Sequence, residues 1–316
     1  MLGSISYSTR NAGASGNNFG NICRDLATVN GKNYEHTDRN GHVKGYICNF
    51  EVIGASSQLL LFNTAPNTWR MRNAFRKFHA YRELMFENAG VSKEERGRYG
   101  HTMRPYLNAG HKAEELLFDA DPDTGDIFRP VLGGALATGG EWTYSKLASV
   151  PLYTFEAGTM GASTLKVADE YPLLICGDNV AGTAETGTSG QYSAVGMIHS
   201  YNLDRQDVVT PTLAGETIDG PANPLAALIA SGNLAAGEIL EITNDLELEK
   251  PPYDIADNGD SVKTQTSGMM KTPTTLGIVR GQVFIPAGIF EIEQSANSDI
   301  TVRLDVLAEV LCKDMA

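Results

Sequence analysis

Tyr46-Ile47-Cys48-Asn49-Phe50-Glu51-Val52-Ile53 decides the fold class. Tyr46, Cys48, Phe50 and Val52 alternate with Ile47, Asn49, Glu51 and Ile53, which is the period-2 pattern of a strand with one face turned to a core. Asn40-Gly41 before it is a turn signal, because both residues tolerate positive φ. Gly54-Ala55-Ser56-Ser57 ends the strand, and Gln58 to Asn63 supplies a second, shorter one. Residues 1–41 are rich in Gly, Asn and Ser and show no sustained apolar period, so they read as an irregular N-terminal arm with room for one strand.

The period then changes. Asn67 or Thr68 can cap a helix after Pro66, and Asn88-Ala89-Gly90 can end it. Ala74, Phe78, Tyr81 and Met85 recur at helical spacing, with Arg72, Arg76, His79 and Glu83 along another face. Ser92 and Glu95 form a capping-box pattern, limited by Gly97 and Gly100, and His111 to Phe118 reads as a further short helix. The helical block runs over residues 66–118.

From Glu141 onward strand patterns return, at 141–155, 169–176, 192–203, 237–243, 275–286 and 300–311, separated by turn-rich segments. Strands do not alternate with helices, which excludes an α/β fold. Eight strands with long loops predict an all-β chain, a jelly-roll sandwich over 42–316 with the helical insertion in the loop between its second and third strands, the C–D loop in the B-to-I lettering used for a viral jelly-roll sandwich. The alternative is two stacked jelly rolls in one chain, which needs about sixteen strands of ordinary length.

The chain has 316 residues, 42% hydrophobic and 20% charged, which fits a folded protein and excludes a disordered or polytopic membrane protein. Its net charge of −13 opposes binding of nucleic acid over the whole surface. The average hides a contrast. Residues 69–112 hold ten basic and four acidic residues, a balance of +6, which leaves −19 for the remainder. A helical segment opposite in sign to its own protein points to a specific partner, either nucleic-acid phosphate or an acidic face of a neighbouring copy. The residues that would make such contact are Arg70, Arg72, Arg76, Lys77 and Arg82. Trp69, Phe75, Phe78 and Tyr81 lie among them and could stack bases, but their spacing favours a core role.

Other motifs lack the context their chemistry needs. Cys23, Cys48, Cys176 and Cys312 form no Cys-x-x-Cys pair and read as buried, reduced thiols. Asp119-x-Asp121-x-Asp123-Thr124-Gly125-Asp126 departs from a calcium loop, with Gly at its seventh position and Pro130 at its twelfth. His36 and His42 flank the predicted turn and could share an ion across it. No His-x-His, Gly-x-Ser-x-Gly or phosphate-cradling Gly-rich loop is present, so the reading is of a protein that is not an enzyme and needs no cofactor or metal. No basic segment followed by an apolar one opens the chain, and no apolar run approaches a membrane span, so synthesis in a cytoplasm is expected.

Trp69-Arg-Met-Arg-Asn-Ala-Phe-Arg-Lys77 with Asn88-Ala-Gly-Val91, then Gly140-Glu-Trp-Thr-Tyr-Ser-Lys-Leu-Ala148, form two familiar stretches. A third runs from Asn223-Pro-Leu-Ala226 through Pro251-Pro-Tyr-Asp254 to Gly281-Gln-Val-Phe-Ile-Pro-Ala-Gly288. Together they resemble capsid proteins of small circular single-stranded DNA viruses from environmental genomes. The resemblance implies a jelly-roll structural protein that self-assembles into an icosahedral shell around a DNA genome, located in the virion and made in the host cytoplasm. Many such proteins begin with an Arg-rich arm, which this chain lacks. The rival from another class is a jelly-roll binding module, cell-surface or carbohydrate-binding; an enzyme with a dispersed site is the third reading.

Overall fold

A computed structural model of the chain describes residues 2–8, 16–54, 56–97, 100–120, 126–137, 142–148, 170–176, 195–198, 264–273, 277–296 and 298–312. The chain divides into two compact units. One joins Met1–Tyr144 to Lys263–Ala316, and the other is Ser145–Val262. The sequence reading takes 42–316 as one domain.

The first unit holds two four-stranded antiparallel sheets. Strands β1 (Gly3–Ser8), β3 (Lys44–Gly54), β11 (Gly277–Pro286) and β13 (Ile300–Leu311) form one, in the order β1-β13-β3-β11. Strands β2 (Asn17–Asn21), β4 (Leu59–Thr64), β10 (Gln265–Lys271) and β12 (Ile289–Gln294) form the other, in the order β10-β4-β12-β2. The mostly β class is as expected. Tyr46, Cys48, Phe50 and Val52 are all buried, which is the face that the alternation in β3 assigns to the core.

The two sheets share this core. Phe50 of the first stacks on Phe62 of the second at 5.8 Å between ring centroids, Phe62 on Phe290 at 4.9 Å, and Phe128 and Tyr7 continue the aromatic layer. Offset rings at such spacings add about 0.5–1.5 kcal/mol per pair beyond the area they bury. Segment 126–130 covers one side of both sheets. Phe128 N–H donates to the Phe19 carbonyl at 2.7 Å, and Tyr7 bridges Pro130.

Among its described residues this unit has three helices, α1 (Ile22–Asn30), α2 (Trp69–Asn88) and α3 (Ala109–Ala120). Asn21 caps α1, its side chain accepting from Arg24 N–H at 3.2 Å, and Gly31 closes it in the left-handed region. Thr68 caps α2. Residues 1–41 are therefore not an irregular arm; they supply two core strands and a helix. In consequence α2 and α3 follow the fourth of the eight strands, not the second as the C–D placement requires. A short β5–β6 pair (Val131–Leu132, Ala135–Leu136) follows α3.

In the second unit the described residues contain β7 (Lys146–Ala148), β8 (Glu170–Leu174) and β9 (Val195–Gly196), forming one small sheet around Leu173, Leu174 and Ile175. The strand expected at 237–243 lies outside the described residues, as do most of those at 141–155 and 192–203.

Candidate functional site

Helix α2 carries all five cations singled out by sequence. Its apolar face is the one the periodicity predicts. Met71, Ala74, Phe75, Phe78 and Tyr81 are buried, so the aromatic side chains described on this helix serve packing. The cations do not form one solvated stripe. Arg70 is 6% exposed, Arg72, Lys77 and Arg82 are half-buried, and Arg76 is exposed. Burial pulls the Lys77 ammonium down to about 7, and it also lowers the Arg82 guanidinium, which donates to the Thr102 carbonyl. Arg82 and Arg96 both lie over the Phe86 ring, at 5.6 and 5.0 Å.

His79 leaves the basic face altogether. Its Nε2–H donates to the Gly41 carbonyl at 3.0 Å, which fastens α2 to the turn Asp38–His42. Asp38 organises that turn by accepting from the backbone N–H groups of Asn40 and His42, both at 2.8 Å, and Gly41 has a φ of 89°. Burial lowers the His79 imidazole to about 4, with Arg82, His101 and His42 acting in the same direction against the Gly41 hydrogen bond. Further on, Ser92 and Glu95 make both reciprocal bonds of a capping box. They close only a turn, because Gly97 at φ 62° diverts the chain.

A second concentration of charge has no counterpart in the sequence reading. Arg24 of α1 is nearly buried, and its guanidinium donates to Asp25 Oδ1 at 3.0 Å, Glu115 Oε1 at 2.5 Å and the Phe128 carbonyl at 3.0 Å. Glu115 Oε1 also accepts from Tyr144 at 2.6 Å and faces His111 Nε2 at 3.3 Å. His111 Nδ1 accepts from Leu107 N–H, which leaves the proton of a neutral ring on Nε2, aimed at Glu115. Tyr7 of β1 closes the group by donating to Asp25 Oδ2 at 2.7 Å. Burial alone would raise the Glu115 carboxyl; Arg24, His111 and Tyr144 outweigh it and hold it at about 2. Asp25 moves up, burial outweighing Arg24 and Tyr7. A cavity of about 30 Å³ adjoins Arg24, Asp25, Glu115, Arg129 and Trp142, enough for one water molecule. The arrangement braces α1, α3 and β1 against one another. Arg24 and Glu115 lie far apart in sequence, so no local spacing announces them.

The four cysteines are free and buried, as expected. Cys23 Sγ lies 3.5 Å from His36 Nδ1 and 3.4 Å from the Tyr46 hydroxyl. Burial pushes the thiol up to about 12 and the imidazole down to about 4, so both are neutral and neither side chain reaches solvent. A thiolate nucleophile is not formed at this pair. His36 and His42 are not brought together around an ion: His36 meets the Ala287 carbonyl at 2.5 Å, while His42 is exposed. Among the described residues no group of three or more His, Cys, Asp or Glu side chains is placed to hold a metal, and residues 121–125 of the acidic turn lie outside them. No described helix is long and apolar enough to cross a membrane. Comparison with protein-family models, with curated proteins and with solved structures finds no match to this chain.

Proposed function

We propose that the chain is a viral capsid subunit, a non-enzymatic structural protein that assembles with copies of itself into an icosahedral shell around a DNA genome. The strand order carries this reading. With β1, β2, β3, β4, β10, β11, β12 and β13 lettered B to I, the two sheets read B-I-D-G and C-H-E-F, an order that supports reading them as a viral jelly roll. On this lettering α1 occupies the C–D connection, while α2, α3 and the second unit occupy the E–F connection. The connections D–E, F–G, G–H and H–I are short, so most of the chain outside the eight strands lies between C and D and between E and F. Packaged DNA would meet α2 first at Arg76, the exposed member of the five cations.

Size-exclusion chromatography with negative-stain imaging of the purified chain tests the reading. Closed shells of uniform diameter containing nuclease-protected DNA are expected. A monomer that forms no shell or capsomer at high concentration and binds glycans would overturn it in favour of a binding module.

A further inference from the structure

The two sheets have four edges, and three of them are managed in ways that discourage pairing with another chain. Strand β2 bridges Ile127 and β1 bridges Pro130, so segment 126–130 covers both. Strand β10 carries Lys271 and a register break between Thr266 and Gly268. Strand β11 differs. It runs ten residues in unbroken register with β3, ends the sheet order, and has no Lys and no Pro before Pro286. Among the described residues no strand pairs with its outer edge.

We propose that β11 pairs antiparallel with β11 of a second copy about a two-fold axis at Gly281, joining the two β1-β13-β3-β11 sheets into one of eight strands. The occupant rests on the self-assembling reading above; the register rests on the strand. Ile278, Arg280, Gln282 and Phe284 point to the outer face, and Val279, Val283 and Ile285 to the core. A two-fold axis perpendicular to the sheet must pass through a residue facing itself. Centred on Arg280 it would oppose two arginines, and centred on Gln282 it would set Arg280 against Phe284. Centred on Gly281 it sets Ile278 against Phe284 and Arg280 against Gln282, so apolar meets apolar and no like charges meet. Ile278 is 54% exposed with no described neighbour that accounts for its apolar surface, and this register covers it. Arg280 is held in place by Glu51, at 2.7 Å and 3.0 Å to one carboxylate oxygen, which orders the charge before a partner arrives. Gly281 is required on the inner side, where an added Cβ would lie 2.3 Å from the Phe50 ring.

Directly opposed residues in an antiparallel pair have Cα atoms about 4.5–5.5 Å apart, within disulfide reach. The full-length single variants Arg280→Cys and Gln282→Cys, each exposed and added to a chain whose own cysteines are buried, are mixed in equal amounts and oxidised. The expected product is a 280–282 heterodimer at least ten-fold above either homodimer, mapped by mass spectrometry. Homodimers formed equally well, or no covalent dimer, would overturn the pairing. The double variant Arg280→Glu/Gln282→Glu places Glu opposite Glu; with an unchanged circular dichroism spectrum and unfolding midpoint it should weaken self-association at least ten-fold, and an unchanged dissociation constant would also overturn the pairing. Imaging the same samples separates the two proposals. Shells without a 280–282 link remove the strand pairing and keep the capsid reading, whereas linked dimers that never form shells keep the pairing and remove the capsid reading.

Discussion

Helix α2 carries five cations before its C-terminal turn, and helix α3 carries two carboxylates and a histidine within five residues; the two handle charge in opposite ways. On α2 the cations sit at graded depths, Arg82 leans on a backbone carbonyl, and the neutral His79 ties the helix to the Asp38–His42 turn. On α3 one carboxylate, Glu115, gathers Arg24, Tyr144 and His111 in a buried site. A high local charge count thus marks surface and partly desolvated stems on α2, while the ion pair that ties elements together uses few charges and appears nowhere as a run. Burial and partner satisfaction, more than the number of charges, decide which ones matter to stability.

The sharpest test of that contrast is Glu115→Ala. It leaves the Arg24 guanidinium buried with only Asp25 and one carbonyl, and should cost about 3–5 kcal/mol in urea unfolding. Combining it with Arg24→Met and Asp25→Asn should recover much of the loss, because the unpaired charge goes with its partner. A cost below about 1 kcal/mol for Glu115→Ala would break the comparison.

Acid titration separates the two helices next. His36 and His79 have folded values near 4, below the ordinary 6.5, so the unfolded chain binds protons first. Their contribution is complete above pH 6.5 and is lost as pH falls toward 4, on the order of 2–3 kcal/mol for the fully buried His36 and less for His79. Glu115 behaves differently: its depressed value keeps its contribution present above about 4.5 and loses it as pH falls through 2. Asp25, shifted upward, acts in the opposite sense and favours the folded state as it gains its proton. Unfolding midpoints of the wild type and His79→Gln should lie close together at pH 7 and separate as the pH falls to 3, the variant losing less, since Gln can still donate to Gly41 and does not titrate. Parallel curves would show that His79 is not the titrating contact.

Gly41→Ala should cost about 1–3 kcal/mol, since an Ala at φ 89° is strained and its Cβ would lie 3.1 Å from the His79 ring. The smallest effect belongs to Arg76→Gln, within about 0.5 kcal/mol of wild-type stability. A larger loss would mean that the exposed cation of α2 is structural after all.

Much of the fold was legible where apolar residues keep a regular period. β3, β4, β8, β11, β13 and the buried stripe of α2 lie where the alternation or helical spacing places them. β1 and β2 escaped because Gly, Ser and Asn make up most of both strands, and only Ile5, Tyr7 and Phe19 supply large buried apolar side chains. β10, Gln-Thr-Ser-Gly-Met-Met-Lys, buries only Met270 among its apolar side chains and reads as a turn. β12 begins directly after Ala287-Gly288, where Pro286 and the positive φ of both residues carry the chain from one sheet to the other within two residues. α1 left a usable signal, Asn21 as cap and Gly31 beyond the end with Ile22, Cys23, Leu26 and Val29 between. The depth of each cation on α2 depends on what packs over it, and the Arg24–Glu115 pair joins distant segments, so neither could be read from spacing.

The strand order also bears on how the polypeptide folds as it leaves the ribosome. Every ladder in the two large sheets joins residues at least as far apart in the chain as Thr64 and Gln265, and β13 lies between β1 and β3. The first half of the chain can therefore make α1 and α2 but closes neither sheet until the last four strands have emerged. Until then β3 and β4 present Tyr46, Phe50 and Phe62 without their partners. Topologies dominated by such distant pairings fold slowly and expose apolar edges while they wait. Nascent chains stalled before β10 should thus resist proteolysis poorly, and protection should arrive late and all at once with β13.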